Sequence, residues 1–75
     1  MTITKSHNAV NLYFTDNRMV IYIEDGRELS IPLEWFPTLR NATTAQLKQW
    51  RLIGNGEGIH WDEIDEDILI ENLLN

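Results

Sequence analysis

The stretch RMVIYIEDGRELSIP, residues 18–32, decides the fold of this chain. Apolar residues alternate along RMVIYIE with the two-residue period of a half-buried β-strand. Asp25 and Gly26 follow, and because both tolerate positive φ they predict a tight β-hairpin. RELSIP predicts the returning strand, and Pro32 marks its end or an edge because proline has no amide donor. The predicted inward residues of the two strands are Met19, Ile21, Ile23, Leu29 and Ile31, and Val20 and Tyr22 are predicted on the opposite face.

A further strand is predicted before this hairpin, in AVNLYFTD, residues 9–16. Its alternation places one set of side chains on the inner face, namely Val10, Leu12 and Phe14, and the other on the outer face, namely Asn11, Tyr13 and Thr15. Asp16 and Asn17 supply the turn into the next strand. The first half of the chain is therefore predicted to be a three-stranded antiparallel meander.

The pattern changes at Pro37, which disfavours a helical conformation at the preceding Phe36. A short helical turn is predicted at residues 38–41. TTAQLKQW, residues 43–50, predicts a helix, because Thr43 and Gln46 have the spacing of a capping box. Leu47 and Trp50 would then share one face of that helix.

The last third of the chain predicts short strands around a turn that contains Gly54, Gly56 and Gly58. These strands are expected at residues 52–53, 59–61 and 68–70, and a final turn would dock Leu73 and Leu74. The predicted class is α+β: an antiparallel three-stranded β-meander, then one short helix, a glycine-rich turn and short C-terminal strands, with the helix packed on one face of the sheet. Residues 1–75 are predicted to form a single small domain with a flexible tail at residues 1–8.

Length and composition favour an interaction module over an enzyme. A chain of 75 residues builds a thin core with little room for a deep pocket and its supporting shell. The absence of cysteine excludes disulfides and thiolate metal sites. The formal net charge is −6, and the six basic residues are scattered, so direct nucleic-acid binding is disfavoured. An acidic chain can still attract a basic protein partner.

No targeting or membrane segment is predicted. MTITKSHNAV, residues 1–10, lacks the apolar core of a signal peptide. No apolar run approaches the roughly 20 residues of a membrane span. We therefore expect a soluble cytoplasmic protein without a membrane partner.

A set of short motifs runs through most of the chain after the first strand. In chain order they are Asp25-Gly26-Arg27, Ile31-Pro32, Trp35-Phe36-Pro37, Leu39, Ala42-Thr43, Trp50, Gly54 to Gly58, Ile59-His60-Trp61, Asp65-Glu66-Asp67 and Leu73-Leu74. Together they resemble the bacterial family known as domain of unknown function 2442 (DUF2442). The resemblance implies a small α+β domain without an established enzymatic activity. It also implies a frequent position as the second member of a two-gene pair, which suggests a toxin–antitoxin arrangement.

The stretch EGIHWDEIDEDI, residues 57–68, is the part of the chain richest in potential catalytic groups. It does not match a calcium loop, because its carboxylates lack the regular spacing and the central glycine. The glycines before it do not form a phosphate loop, because they lead into a predicted strand and not into a helix. A solvated acidic turn is the favoured interpretation, in which Asp65 or Asp67 accepts backbone amides or pairs with Arg27, Arg40 or Arg51.

His60 is predicted to point away from its strand neighbours Ile59 and Trp61, as a partly buried histidine with a hydrogen-bonded partner. We assign no catalytic, cofactor-binding or metal-ligating residue, since zinc needs three or four convergent ligands. The alternative hypothesis is a small metal- or ligand-binding enzyme or regulator. It would use His60, Asp62, Asp65 and Asp67.

Three tryptophans in so short a chain serve either as core or as a binding surface. We predict a non-catalytic domain that binds a protein partner, with an adjacent gene product in an antitoxin-like pair as one form of this hypothesis. Open sheet edges also allow a homodimer. The candidate partner-binding residues are Trp35, Phe36, Arg40, Trp61, Asp62, Asp65, Glu66 and Asp67.

Overall fold

Residues 8–74 are described by a computed structural model of the protein. The predicted tail, residues 1–8, lies outside these residues except for Asn8. The carbonyl of Asn8 accepts a hydrogen bond from the Glu24 amide at 2.8 Å, so this residue is tied to the end of the second strand.

The described chain forms two three-stranded antiparallel sheets, which short helices join. The first sheet has the order β1-β2-β3, with β1 at Ala9–Phe14, β2 at Arg18–Ile23 and β3 at Glu28–Pro32. The second has the order β4-β5-β6, with β4 at Trp50–Ile53, β5 at Gly58–Trp61 and β6 at Glu66–Leu69. Between them lie a 3₁₀ turn at Leu33–Trp35, α1 at Pro37–Arg40 and α2 at Thr44–Leu47, and a second 3₁₀ turn follows at Ile70–Leu73. The α+β class and the initial meander are confirmed.

The central hairpin forms as its sequence predicts. Gly26 has φ +98°, and the Asp25 side chain accepts a hydrogen bond from the Arg27 amide inside the turn. The inward-facing residues Met19 and Ile21 are fully buried. Val20, on the opposite face, is also buried, and its cross-strand neighbours there are Tyr13 of β1 and Ser30 of β3.

The prediction that Val10 faces the core is wrong. Val10 is 54% exposed, whereas Ala9 and Leu12 are buried. The reason is a shift in the pairing of β1 with β2: Ala9 lies opposite Ile23, but Asn11 already lies opposite Tyr22. Such a bulge inserts an extra residue and breaks the alternation.

The predicted helix over residues 43–50 is shorter than expected. Its capping box is present, with the Gln46 amide donating to Thr43 Oγ1 at 3.1 Å and the Thr43 amide donating to Gln46 Oε1 at 2.9 Å. The helix nevertheless ends at Leu47, and Trp50 begins β4 opposite Trp61. So short a helix gains little stability by itself, and strand pairing takes the residues that follow it.

A glycine turn fastens the second sheet to the first. The Ala9 amide donates a 2.7 Å hydrogen bond to the Gly56 carbonyl. Gly56 is buried with φ +98°, and a Cβ atom there would collide with the Ala9 carbonyl. One residue further on, the Glu57 carbonyl accepts a 2.9 Å hydrogen bond from the Ile70 amide, which ties the end of the chain to the same turn.

Trp61 is the largest fully buried side chain and lies where several elements meet. Its ring contacts Phe14 of β1 edge to face, with ring centroids 6.3 Å apart. Its indole N–H donates to the Leu47 carbonyl at 3.1 Å, which satisfies the end of α2. The core that surrounds it draws on both sheets and on α1, with Met19, Ile21, Leu39, Ile59 and Ile70 as its other fully buried large side chains.

Replacement of Gly56 by alanine should destabilise the protein more than the same change at Gly26. Both glycines have φ +98°, so each substitution should cost about 1–2 kcal/mol in backbone strain. Only at Gly56 does the added Cβ meet another strand, where loss of the Ala9 hydrogen bond should add about 1–3 kcal/mol. Urea unfolding of both variants measures the difference. Equal midpoints would contradict the joining role of this turn.

Candidate functional site

Trp35 is the exposed tryptophan of the described chain. Its relative exposure is 64%, whereas Trp61 is 1% exposed and Trp50 is partly buried. Phe36 is partly buried against the core, and Arg40 is exposed at the end of α1. The predicted binding residues Trp35, Phe36 and Arg40 therefore lie on two consecutive short elements. Trp61 does not join them, because its side chain is enclosed in the core.

The backbone before α1 explains why Trp35 projects into solvent. Leu33 is buried, and its amide donates to the Asn17 carbonyl at 2.9 Å, so it anchors the 3₁₀ turn at the meander. The Phe36 amide closes the turn by donating to the Leu33 carbonyl at 2.9 Å. Phe36 has φ −129° and ψ 86°, which lies outside the helical region that the following proline disfavours but is not the fully extended conformation expected. With Leu33 inward and the turn closed, Trp35 faces outward.

A row of charged residues crosses the second sheet at His60. Arg51 of β4 and Asp67 of β6 are the cross-strand partners of His60 on β5. The His60 Nδ1 is hydrogen-bonded to Asp67, and its Nε2 lies 2.8 Å from the Asp62 carboxylate. Asp62 in turn accepts two hydrogen bonds of 3.1 Å from Arg51. The predicted orientation of His60 is confirmed, since Ile59 and Trp61 are buried on the other face.

This row shifts the pKa values of His60 and Asp62. The hydrogen bond to Asp67 raises the pKa of His60 above its ordinary value. The hydrogen bonds from Arg51 lower the pKa of Asp62, and His60 adds to that effect. With Nδ1 on Asp67 and Nε2 on Asp62, both ring nitrogens of His60 face carboxylates. Within residues 8–74, no group of three histidine, aspartate or glutamate side chains is placed to hold a metal ion.

The predicted pairing of Asp65 or Asp67 with an arginine is wrong. Arg51 pairs with Asp62 and Arg27 with Asp25, whereas Asp67 bonds to His60. Asp65 has φ +52° in the turn between β5 and β6, a conformation that aspartate tolerates better than most residues. Glu66, opposite Trp61, begins β6. The register of β4, β5 and β6 decides which of these charged side chains pair. The sequence indicates only that His60 lies on the face opposite Ile59 and Trp61.

These features define a small α+β domain of two antiparallel sheets, with an exposed tryptophan and a charge row whose members are paired. The chain belongs to the family described as "Protein of unknown function (DUF2442)", whose model matches residues 9–75. This confirms the resemblance drawn from the motifs.

The fold is also similar to that of a crystal structure of a protein of unknown function from Rhodospirillum rubrum ATCC 11170. The TM-score is 0.77 at 25% sequence identity, over 89% of this chain and 83% of that one. The comparison with curated proteins found no match. Among the helices of residues 8–74, none has the length and apolar character needed to cross a membrane.

Stability should depend on pH through His60. Because the folded pKa is raised, the protonated imidazole stabilises the fold fully below its ordinary value of 6.5, and this contribution is lost as pH rises through the folded pKa. The free energy of unfolding should therefore fall across that range. Replacing Asp67 with asparagine should flatten the dependence and lower the His60 pKa, measured by NMR titration of the imidazole.

Asp65→Asn is the matched control for this experiment. It removes a carboxylate two residues before Asp67, in the turn that leads into β6, asparagine tolerates positive φ, and Asp65 makes no hydrogen bond to His60. The control should leave the His60 titration within about 0.2 pH units of the wild type, a small part of the roughly one-unit spread of histidine pKa values in proteins. An equal effect of both variants would mean that general charge, and not the Asp67 contact, sets the pKa.

The two tryptophans at opposite extremes of burial should respond differently to replacement by phenylalanine. Trp61→Phe loses a buried hydrogen bond and leaves a cavity, so we expect a loss of about 2–4 kcal/mol. Trp35→Phe should stay within about 0.5 kcal/mol of the wild type, as surface substitutions usually do. Urea unfolding followed by far-UV circular dichroism measures both. Comparable losses would show that Trp35 supports the fold.

Proposed function

We propose that the protein is a non-catalytic interaction domain that binds a protein partner through the surface around Trp35. The observation that supports this most is the 64% exposure of Trp35 on a turn fixed at both ends. Solvation of a large aromatic ring is unfavourable, and tryptophan is enriched among the residues that contribute most to protein interfaces. Phe36, the next residue along the chain, adds a second, partly buried aromatic ring, a residue type that is common at such interfaces.

The arrangement of the acidic residues gives less support to an enzyme. A catalytic histidine or carboxylate needs a free atom within reach of a substrate. The His60 nitrogens are instead bonded to Asp62 and Asp67, the Asp62 oxygens are bonded to His60 and Arg51, and Asp65 lies in a turn. The alternative centred on His60, Asp62, Asp65 and Asp67 is therefore the weaker one.

The finer form of the proposal is an antitoxin-like partner of an adjacent gene product in the bacterial cytoplasm. It rests on the two-gene arrangement that the family resemblance implies and on the formal charge of −6. A negative field would speed association with a basic partner. The exposed carboxylates Asp62 and Asp67 would then contribute electrostatically, while Trp35 would supply the apolar contact.

Co-purification from the native host tests the proposal. Tagged wild-type protein should retain a specific partner, and Trp35→Ala should weaken that complex at least about tenfold, as truncation of a central aromatic residue does. Val10→Ala is the control, because Val10 is 54% exposed on β1 and its truncation also removes solvent-exposed apolar surface. A partner retained equally by all three proteins, or no partner at all, would contradict the proposed surface.

Expression of the adjacent gene tests the finer form. The neighbouring product alone should arrest growth, and co-expression of the wild-type chain should restore it through a complex visible in size-exclusion chromatography. If the neighbouring product does not affect growth, or if the two proteins elute separately, the antitoxin-like role is excluded. The broader proposal of an interaction domain is tested separately by co-purification.

A further inference from the structure

A groove of about 570 Å³ lies between the end of β1 and the helical connection, and Trp35 is not among the residues that line it. One wall is residues 12–16, which are the end of β1 and the start of the turn after it, and the other includes Leu47 of α2 and Trp50 of β4. Both β1 and β4 are edge strands of their sheets. The groove has the size of a typical ligand site, and Phe14, Leu47 and Trp50 are among the apolar residues that line it.

Two cations that have no side-chain partner among the described residues line this groove. Of the described basic residues, Arg27 and Arg51 are held in ion pairs, and Arg18 donates to Ser30. The side chains of Arg40 and Lys48 make no hydrogen bond or ion pair within residues 8–74, and both line the groove. Asp16 is the one carboxylate among the lining residues, so the groove is net positive on a chain whose formal charge is −6.

The wall formed by β1 offers backbone groups as well. In an antiparallel pair, alternate residues turn their amide and carbonyl toward the partner strand. The Thr15 amide donates to Arg18 across the β1–β2 turn at 2.9 Å, so the backbone of Phe14 points away from β2. The neighbouring outward amide, that of Leu12, is already capped by Asn11 Oδ1 at 2.9 Å. Phe14 is therefore the position at which an added extended chain would find a donor and an acceptor.

We propose that this groove binds an extended segment of a partner protein that carries an aspartate or glutamate next to an aromatic or large aliphatic residue. The acidic side chain would pair with Arg40 and Lys48, the apolar one would pack on Phe14, Leu47 and Trp50, and the backbone would bond at Phe14. The inference rests on the proposed function as an interaction domain, and it adds a second surface with its own chemistry.

Selection from a displayed library of random octapeptides tests this directly. Purified full-length chain should enrich peptides with an acidic residue beside an aromatic or aliphatic one. The double variant Arg40→Glu/Lys48→Glu should bind those peptides at least about tenfold more weakly and should itself enrich basic peptides. Arg18→Glu/Arg27→Glu carries the same charge change on the first sheet and should keep wild-type binding. Arg40→Gln/Lys48→Gln supplies the same test if the charge reversal impairs folding.

Several results would overturn the proposal: no enriched peptide, no acidic preference, or equal binding by the groove variants. Displacement of the selected peptide by millimolar indole-3-acetate, with the same NMR shifts, would assign the groove to small carboxylates. A homodimer that dissociates on Arg40→Glu/Lys48→Glu would assign it to a second copy of this chain. Trp35→Ala should leave peptide binding by the groove unchanged. Peptide binding therefore tests the groove proposal, and co-purification of a partner tests the Trp35 surface independently.

Discussion

The backbone hydrogen bond between Ala9 and Gly56 is the constraint on which the arrangement of the two sheets depends. Each sheet has three short strands with an apolar face that must be buried, and the two sheets share one core. The hydrogen bond sets the glycine turn against the first strand at a distance that only a residue without a Cβ atom allows. Trp61 can then reach Phe14, and the end of α2 receives its indole N–H. The exposed turn that carries Trp35 is held by the same meander through Leu33.

Local chemistry made much of this fold predictable. The Asp25-Gly26 hairpin and the Thr43–Gln46 capping box form from neighbouring residues, so no knowledge of distant contacts is needed to predict them. The outward position of Val10 was not predictable, because the bulge depends on how β1 aligns with β2. The spacing of Trp50 from Leu47 favours one face of a helix, but pairing with Trp61 overrides that local preference and places Trp50 in β4. Tertiary contacts decide such competitions in short elements.

The candidate functional residues were also predictable only in part. The orientation of His60 followed from strand alternation, whereas its bonds to Asp62 and Asp67 required the register of three strands. Composition alone could not separate the buried Trp61 from the exposed Trp35. The groove beside Phe14 was invisible in the sequence, because its walls come from segments separated by a whole hairpin and a 3₁₀ turn. Its two cations become distinctive only when the pairing of the other arginines is known.

The charge row across the second sheet also acts as a check on strand alignment. In the native alignment Asp67 stands opposite His60 on the exposed face, while Ile68 and Ile59 face each other in the core. A slip of β6 by one residue would turn Asp67 inward and expose Ile68. His60 would then lie opposite an apolar or mismatched neighbour. A four-residue strand has few side chains with which to reject a wrong alignment. In this chain, a single histidine has both of its carboxylate partners only in the native alignment, so the charge row favours that register over its neighbours.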